Sequence, residues 1–229
     1  MINKHQVMRS LTDSNVLDVT QDLSWCEHII NHRLKHYFAH ETKNRSVFDC
    51  EPPHIQQNFS AYSQFIQEHD LSFMERLALV LALVPVVQPR IFDLFLANNE
   101  MLNRPYTEFG CVEYNGSFYA TGETLAFLLG GEDLSIRFNV QSFLQLKHSC
   151  ELHNILQWFA DDTDSLSMKT PLQLTDEYKH LFTTSEPYQP QLSEHFPAQL
   201  VTTDMQWSDI VLPEKVMTQL DEIQAWITY

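Results

Sequence analysis

Histidines form the densest chemically capable group in the chain. His28, His32, His36 and His40 follow one another at intervals of four residues. On a helix, side chains at this spacing lie one turn apart, and a pair of them can share a Zn²⁺ or Ni²⁺ ion. Each step of four also rotates by about 40° on a helix, so the four rings fan out and cannot converge on one ion. We therefore predict no metal site and expect these histidines to face solvent.

A second group that resembles a metal site is the acidic run Asp161, Asp162 and Asp164. Carboxylates at alternate positions are typical of calcium-binding loops. This run lacks the turn glycine and the downstream bidentate Glu of an EF-hand loop. The pattern therefore favours a solvated loop.

The positions of the glycines exclude more kinds of binding and catalytic motif than any other feature of the sequence. All five lie between Gly110 and Gly131. A phosphate-binding loop needs glycines spaced as G-x-x-x-x-G-K-[ST] or G-x-G-x-x-G, and neither pattern occurs. The nucleophile motif G-x-S-x-G and the zinc motif H-E-x-x-H are absent as well. We therefore predict that this chain has no catalytic residues and no cofactor of its own.

Composition and charge restrict the class of partner. The chain has 229 residues, of which 44% are hydrophobic, which is enough to form one or two globular domains. It contains 30 Asp and Glu against 14 Lys and Arg, and its net charge is −16. Because nucleic acids and anionic membranes attract Lys and Arg, this balance argues against either as a general partner.

Targeting features are also absent from the sequence. The four cysteines are single and widely spaced, and the N-terminus MINKHQVMRSLTDSN lacks the apolar core of a signal peptide. The longest apolar run, residues 77–87, is shorter than the ~20 residues that a membrane span needs. We expect a cytoplasmic protein that is not inserted in a membrane.

Helical periodicity dominates the first hundred residues. It predicts a helix from about Asp18 to His40 and a second helix opened by Pro52 and Pro53. Ser72 and Glu75 form a capping-box pattern, which predicts a third helix. That helix is very apolar and is expected to stop before Pro85, with another beginning at Pro89.

The middle of the chain predicts a β-hairpin followed by helices. Asn115-Gly116 supplies the two positive φ angles of a tight turn between β-rich arms. A helix should then run from Gly122 to a stop at Gly130-Gly131. Another is expected after Asp133, with an inner face formed by Leu134, Phe138 and Phe143.

The last third predicts short elements separated by loops. Residues 160–170 read as a loop, Pro171-Leu-Gln-Leu as a strand, and Thr175 as the cap of a helix. Residues 198–203 read as a strand, and Pro213 starts a final helix.

These elements predict an α+β fold, mainly α. It should comprise a helical N-terminal region and a winged-helix-like domain with a β-hairpin. We predict four parts: an N-terminal helical segment (1–50), the winged-helix-like domain (51–160), a loop-rich connection (161–200) and a lead-in segment (201–229).

Several stretches resemble the N-terminal region of a bacterial AAA-type ATPase family. They are DLSWCEHIINHRLKHYF, LSFMERLALVLALVPVVQPRIFDLFL, TGETLAFLLGG and FPAQLVTTDMQWSDIVLPEKVMTQLDEIQAWI. In AAA proteins a Trp-x-Asp-Ile stretch precedes the Walker A loop and passes close to the adenine. The resemblance therefore implies that Asp209, Ile210 and Val211 lie next to a nucleotide, although Val211 and Leu212 replace the usual glycines.

The resemblance also implies what the whole protein does. Walker A, Walker B and arginine-finger residues have no counterpart, so we expect the chain to be the front part of a longer protein. ATP and Mg²⁺ would bind the downstream AAA module, which can form a hexamer. The expected role of this chain is to bind a protein partner or to organise the motor.

Two alternatives remain at this point. A nucleic-acid-binding winged helix would need a basic recognition helix, whereas residues 90–98 carry one Arg and one Asp. The predicted hairpin likewise has Glu108, Glu113 and Glu123 nearby and no Lys or Arg. We therefore regard nucleic acid as the less favoured partner. An enzyme of unrecognised type would need clustered titratable side chains in a pocket.

Overall fold

The computed structural model describes residues 4–39, 46–54, 60–145, 155–157, 168–188, 213, 215–220 and 222. The chain forms two compact units, Met1–Tyr188 and Gln189–Tyr229. Helices account for most of the described residues, and the strands form short antiparallel pairs. The predicted α+β fold, mainly α, is therefore confirmed.

The α-helices of the first unit are α1 (Lys4–Ala39), α2 (Ala61–His69), α3 (Phe73–Val87), α4 (Gly122–Gly130), α5 (Leu134–Gln145) and α6 (Asp176–Thr184). Shorter 3-10 helices cover Val47–Asp49, Pro89–Leu96 and Thr107–Phe109. The paired strands are β1 (Asn98–Asn99) with β2 (Arg104–Pro105), β3 (Val112–Tyr114) with β4 (Ser117–Tyr119), and β5 (Leu156–Gln157) with β6 (Gln173–Leu174).

The long helix α1 organises the first unit. It begins well before the predicted start at Asp18 and packs against α2, α3, α4 and α6. Its buried apolar residues include Leu23, Cys26, Ile30 and Leu34, which recur at the three- and four-residue steps of a helical stripe. One hydrophobic core therefore joins elements from several of the predicted parts. The four-part division and the winged-helix-like description of residues 51–160 remain predictions.

Helix α3 lies in the middle of this core. Its residues 77–84 are all at most 1% exposed, because the sequence there is apolar on every side. The predicted capping box is present: the Ser72 backbone N–H donates to Glu75 at 2.9 Å, and the Ser72 Oγ accepts from the Glu75 N–H. The predicted stop before Pro85 is wrong, because only one backbone bond is lost there and Gln88 still donates to the Val84 carbonyl.

Helix α2 begins later than predicted. Residues 51–54 are not helical, so Pro52 and Pro53 do not open it; residues 55–59 lie outside the described segments. The cap is Ser60, whose hydroxyl accepts from the Ser63 N–H at 3.0 Å. A side-chain oxygen that satisfies a free N–H fixes the helix start better than the rigid φ of proline alone.

The hairpin and α4 follow the prediction closely. Asn115 and Gly116 have φ of 50° and 76°, which join β3 to β4 through a tight turn. Thr121 caps α4 by accepting from the N–H groups of its first turn. At the other end Gly131, with φ of 54°, terminates the helix as expected.

Helix α5 exists, but its predicted inner face is wrong. Leu134 and Phe138 are 63% and 62% exposed, and Phe143 is partly buried. The buried residues are Val140 and Leu144. Helical periodicity cannot choose between two faces that both carry apolar residues, and the close fit of α5 to α4 decides the orientation.

The remaining described segments agree with the predicted elements. Strand β6 pairs with β5, and α6 follows Thr175, although no Thr175 side-chain capping bond forms. In the second unit, residues 215–220 are helical, and the Val216 N–H donates to the Pro213 carbonyl at 2.8 Å. The strand predicted at 198–203 and most of the loop predicted at 160–170 lie outside the described residues.

No single helix within the described segments combines the length and the apolar character needed to cross a membrane. Helix α3 and the 3-10 helix after it pass that test only together, and they are bent by 102° at their junction.

Candidate interaction surface

Asp209, Ile210 and Val211, which were predicted to lie beside a nucleotide, fall outside the described part of the chain. The same holds for the predicted calcium-like run at residues 161–164. These assignments remain predictions.

His28, His32 and His36 lie on α1 but do not all face solvent. His28 is exposed, whereas His32 and His36 are partly buried with ring centroids 4.5 Å apart; His40 lies outside the described residues. The predicted exposure is thus wrong for the middle pair, because this part of α1 packs against α4 as well as the core. Within the described segments, no group of three or more His, Cys, Asp or Glu side chains is arranged to hold a metal.

The main cluster of buried charged groups joins α1 to α3. Asp22 and Arg76 are 1% and 7% exposed. The Arg76 guanidinium donates to Asp22 through Nε at 2.9 Å and through Nη2 at 2.6 Å. The Tyr62 hydroxyl donates to the same carboxylate at 2.6 Å, and Arg76 Nη2 also donates to the Pro53 carbonyl at 2.9 Å. These charges are therefore paired with one another.

Two further polar side chains of α1 extend this cluster. The Asn15 Oδ1 accepts from the Tyr62 backbone N–H at 3.0 Å, and its amide donates to the Phe182 carbonyl of α6. Asp18 accepts from the Ser60 hydroxyl, which also caps α2. Each group bonds a helix end or another buried side chain, which is what polar groups inside a fold require. Their arrangement fixes α1, α2, α3 and α6 to one another.

Burial also alters the acid–base properties of this cluster. Burial raises the pKa of the Tyr62 hydroxyl well above its ordinary 10, and the neighbouring Asp22 carboxylate raises it further. Burial likewise raises the pKa of the Cys26 thiol, so it stays protonated and is a poor nucleophile. Neither group has the lowered pKa of an activated nucleophile, and we assign both a structural role.

The glycine-rich segment serves close packing rather than phosphate binding. A Cβ atom at Gly110 would lie 2.6 Å from the Glu123 Cβ, and one at Gly122 would lie 2.3 Å from the Leu144 Cδ1. A Cβ at Gly131 would approach the Arg33 Nη1 to 2.8 Å. Gly116 differs, since nothing lies within 4 Å of its Cβ position. A Cβ at Gly130 would lie 3.0 Å from the Ile136 Cβ, so neighbouring atoms occupy the space beside the other four glycines.

The absence of a side chain at Gly131 lets the Arg33 guanidinium lie close to the end of α4. It is 7% exposed and donates to the Leu128 and Leu129 carbonyls at 2.9 and 2.8 Å. These are among the last carbonyls of α4, where the helix dipole is negative and favours a cation. Burial lowers the Arg33 pKa, and the two carbonyls compensate part of the lost hydration.

The most exposed large apolar side chain of the described residues lies at the turn between β1 and β2. Met101 is 92% exposed and Leu102 is 54% exposed; we call this pair the apolar tip. The Asn99 Oδ1 accepts from the backbone N–H groups of both residues, at 3.0 and 3.1 Å. Asn103 adopts a left-handed φ of 49°. The turn is therefore held by local bonds while its apolar side chains point into solvent.

A second exposed apolar pair lies on α5. Leu134 and Phe138, which we call the outer face of α5, are one helical turn apart. Glu132 and Asp133 are exposed immediately before them, and Asp133 caps the helix by accepting from the Ser135 N–H at 2.8 Å. This face therefore combines apolar side chains with carboxylates.

Arg137 is the cationic side chain nearest in sequence to the outer face of α5, and it is already paired with carboxylates. The Arg137 guanidinium pairs with the Glu123 carboxylate and donates to Glu108 at 3.3 Å. It also donates to the Gly131 carbonyl at 3.1 Å. The outer face of α5 consequently keeps its acidic character.

Sequence reasoning missed both apolar surfaces. Met101 and Leu102 lie in a short segment without periodicity, and the only signal was Asn99, which is typical of such turns. Leu134 and Phe138 were assigned to the core. Comparison of the chain with protein-family models, curated proteins and solved structures found no match.

Proposed function

We propose that this chain is the N-terminal recognition or regulatory region of an AAA-type ATPase, which binds a protein partner or organises the motor. ATP and Mg²⁺ would act in a downstream AAA module of the full-length, hexameric protein, and this chain would perform no catalysis. The cytoplasm is the proposed compartment.

The observation that carries a recognition role is the apolar tip. A Met that is 92% exposed on a turn fixed by Asn99 presents apolar surface on a backbone that is already ordered, so binding has to fix only the side chain. Exposed apolar side chains on an ordered element are typical of protein contacts. Met also adapts its shape to irregular partner surfaces.

The buried polar cluster supports the absence of catalysis. Tyr62 and Arg76 both donate to the Asp22 carboxylate inside the core, where a substrate would have to displace them. A catalytic group needs an accessible position near the reacting atoms. These residues therefore support a structural assignment.

The motor assignment is tested by the coding frame beyond Tyr229. We expect a G-x-x-x-x-G-K-[ST] loop within about 30 residues, and ATP hydrolysis by the longer protein that disappears when the loop Lys is replaced. A frame that continues without this motif, or a longer protein that does not hydrolyse ATP, would remove the motor assignment.

The nature of the partner is tested separately by titrating the purified chain with labelled duplex DNA at several salt concentrations. Because the net charge is −16, we expect no tight, salt-sensitive binding. Sub-micromolar binding that weakens steeply with salt would replace protein recognition by nucleic-acid recognition.

A further inference from the structure

The last turn of α1 carries an aromatic cluster that the proposed function does not use. Phe38 is 50% exposed, and its ring packs edge to face with Tyr37 and Tyr106 at centroid distances of 5.3 and 5.5 Å. Tyr37 and Tyr106 are half-buried, and their rings lie 5.9 Å apart at an angle of 90°. The buried Phe109 contacts all three rings and so joins them to the core. We call Tyr37, Phe38 and Tyr106 the aromatic surface.

Two carboxylates lie near the aromatic surface. Glu108 follows Tyr106 by two residues, and 47% of its side chain is exposed. Glu132 is exposed just beyond the end of α4. Burial raises the pKa of the Tyr37 hydroxyl, and Glu108, Tyr106 and Glu132 raise it further. Both carboxylates therefore act electrostatically on this surface.

The cations of the described residues leave part of this negative charge unpaired. Arg137 is shared between Glu123 and Glu108, with 3.3 Å separating it from Glu108. No ion pair within the described segments involves Glu132. Lys35 and Arg104 are exposed and near in sequence, but neither forms an ion pair with these carboxylates. Lys35 lies one helical turn before Phe38, where it would oppose a cationic ligand.

The chemistry of the aromatic surface favours a guanidinium group. Ring faces and carboxylates both attract cations, whereas the exposed aliphatic pairs, such as Met101 with Leu102 and Val86 with Val87, have neither. A guanidinium stacks on aromatic rings, donates two hydrogen bonds to one carboxylate and is less strongly hydrated than an ammonium group. The net charge of −16 also attracts a basic partner over a longer range.

We infer that the aromatic surface, together with Glu108 and Glu132, binds an arginine side chain on a basic segment of the partner protein. The guanidinium lies against the rings, and the two carboxylates offset its charge. Arginine recognition rests on the proposed function in that it takes the partner to be a protein, and it specifies the chemistry of that partner.

The experiment is fluorescence anisotropy of short labelled peptides titrated with the full chain. The peptides consist of glycine and serine and carry arginine, lysine or citrulline at the same positions, because citrulline has the shape of arginine without its charge. The ring variant is Phe38→Ala, and the charge variant is Glu108→Gln with Glu132→Gln. Circular dichroism melting shows that each variant is folded.

Each variant has a matched control. Phe48→Ala removes another exposed aromatic ring, which is 42% exposed and contacts Phe73. Glu177→Gln with Glu186→Gln removes two exposed carboxylates at α6 and just beyond it. Because Phe48 precedes Asp49, the ring control also shows whether any exposed ring beside a carboxylate is sufficient for binding.

We expect the arginine peptide to bind the wild type and both controls equally, and the citrulline peptide not to bind. The ring and charge variants should each weaken binding about threefold to fivefold, which is the size expected of an exposed cation–π contact. The lysine peptide should bind at least about twofold more weakly than the arginine peptide. Lys35→Gln should strengthen binding, because it removes a competing cation.

No binding of the arginine peptide, equal binding of the citrulline peptide, or equal losses from Phe38→Ala and Phe48→Ala would overturn arginine recognition. A lysine peptide that binds as tightly as the arginine peptide would overturn the preference for a guanidinium. In each case recognition of a protein by another surface would remain open, because the DNA titration and the coding frame test the proposed function independently.

Discussion

The first unit is held together in two different ways. Where α1 meets α2 and α3, buried polar side chains bond one another, with Asp22 and Arg76 at the centre. Around α4, by contrast, glycines let neighbouring segments approach so closely that a single Cβ at Gly110 or Gly122 would collide. The first arrangement depends on satisfied charges and the second on available space. Substitutions should therefore damage them for different physical reasons.

The largest effect is expected from breaking the buried ion pair. Arg76→Ala leaves the Asp22 carboxylate buried without its main partner, which should cost about 4 kcal/mol of unfolding free energy. Urea denaturation measures this loss. The triple variant Asp22→Leu, Tyr62→Phe and Arg76→Met should recover most of it, because it leaves neither an unpaired charge nor the buried Tyr62 hydroxyl without its acceptor. A triple variant as unstable as Arg76→Ala would contradict a charge-based explanation.

Creating a cavity beside α4 should lower the unfolding free energy slightly less than breaking the buried ion pair does. Leu144 is 2% exposed and contacts the backbone at Gly122, so Leu144→Ala should lower the unfolding free energy by about 3 kcal/mol. Phe138→Ala on the same helix should change it by less than about 0.5 kcal/mol, because Phe138 is 62% exposed. Equal losses in the two variants would mean that α5 is oriented differently.

Gly110 and Gly116 both have a left-handed backbone conformation. Comparing them separates the steric clash of an added Cβ from the strain in the backbone. Gly110 and Gly116 have φ of 66° and 76°, but only Gly110 has neighbours within 4 Å of its Cβ position. Both alanine variants should suffer the left-handed strain of about 1 kcal/mol. Gly110→Ala should lose about 2 kcal/mol more, because its Cβ meets the α4 backbone. Equal thermal denaturation midpoints for the two variants would refute close packing at Gly110.

The effect that is absent near neutral pH, and so comes last, is a dependence on alkaline pH. Burial raises the pKa of the Cys111 thiol from 9.0 to about 12, although a hydrogen bond with Thr124 lowers it in part. The folded state therefore holds this proton more tightly than the unfolded state does. Its contribution to stability is complete below pH 9 and is lost as the pH rises towards 12, by at most about 1.4 kcal/mol per pH unit.

Cys111→Ala provides the measurement for this contribution. Unfolding free energies of the variant and of the wild type, measured at several pH values above 9, should fall with different slopes, and the variant should have the shallower one. Identical slopes would mean that the Cys111 thiol is accessible to water.

The local elements were predictable wherever short-range chemistry determines them. The capping pair Ser72 and Glu75, the turn at Asn115-Gly116 and the helix stop at Gly131 each rest on contacts within a few residues. The extent of α3 through Pro85 was not predictable in this way, since packing on every side of α3 outweighs one lost backbone bond.

The candidate surface was much less predictable. The periodicity of α5 is compatible with either Leu134 and Phe138 or Val140 and Leu144 facing inward, and only tertiary packing selects the second pair. The pairing of Asp22 with Arg76 was likewise hidden, because the two residues are separated by more than 50 positions. Asp209, Ile210 and Val211 remain predictions that the described residues do not address.

Photo-crosslinking from the apolar tip tests the central claim most directly. A photoreactive amino acid replaces Met101 in cells that produce the protein, and Val16 is replaced in the control because it is also exposed. We predict a discrete protein adduct from position 101 and none from position 16. Adducts with nucleic acid, or equal labelling from both positions, would contradict the claim that the tip recognises protein.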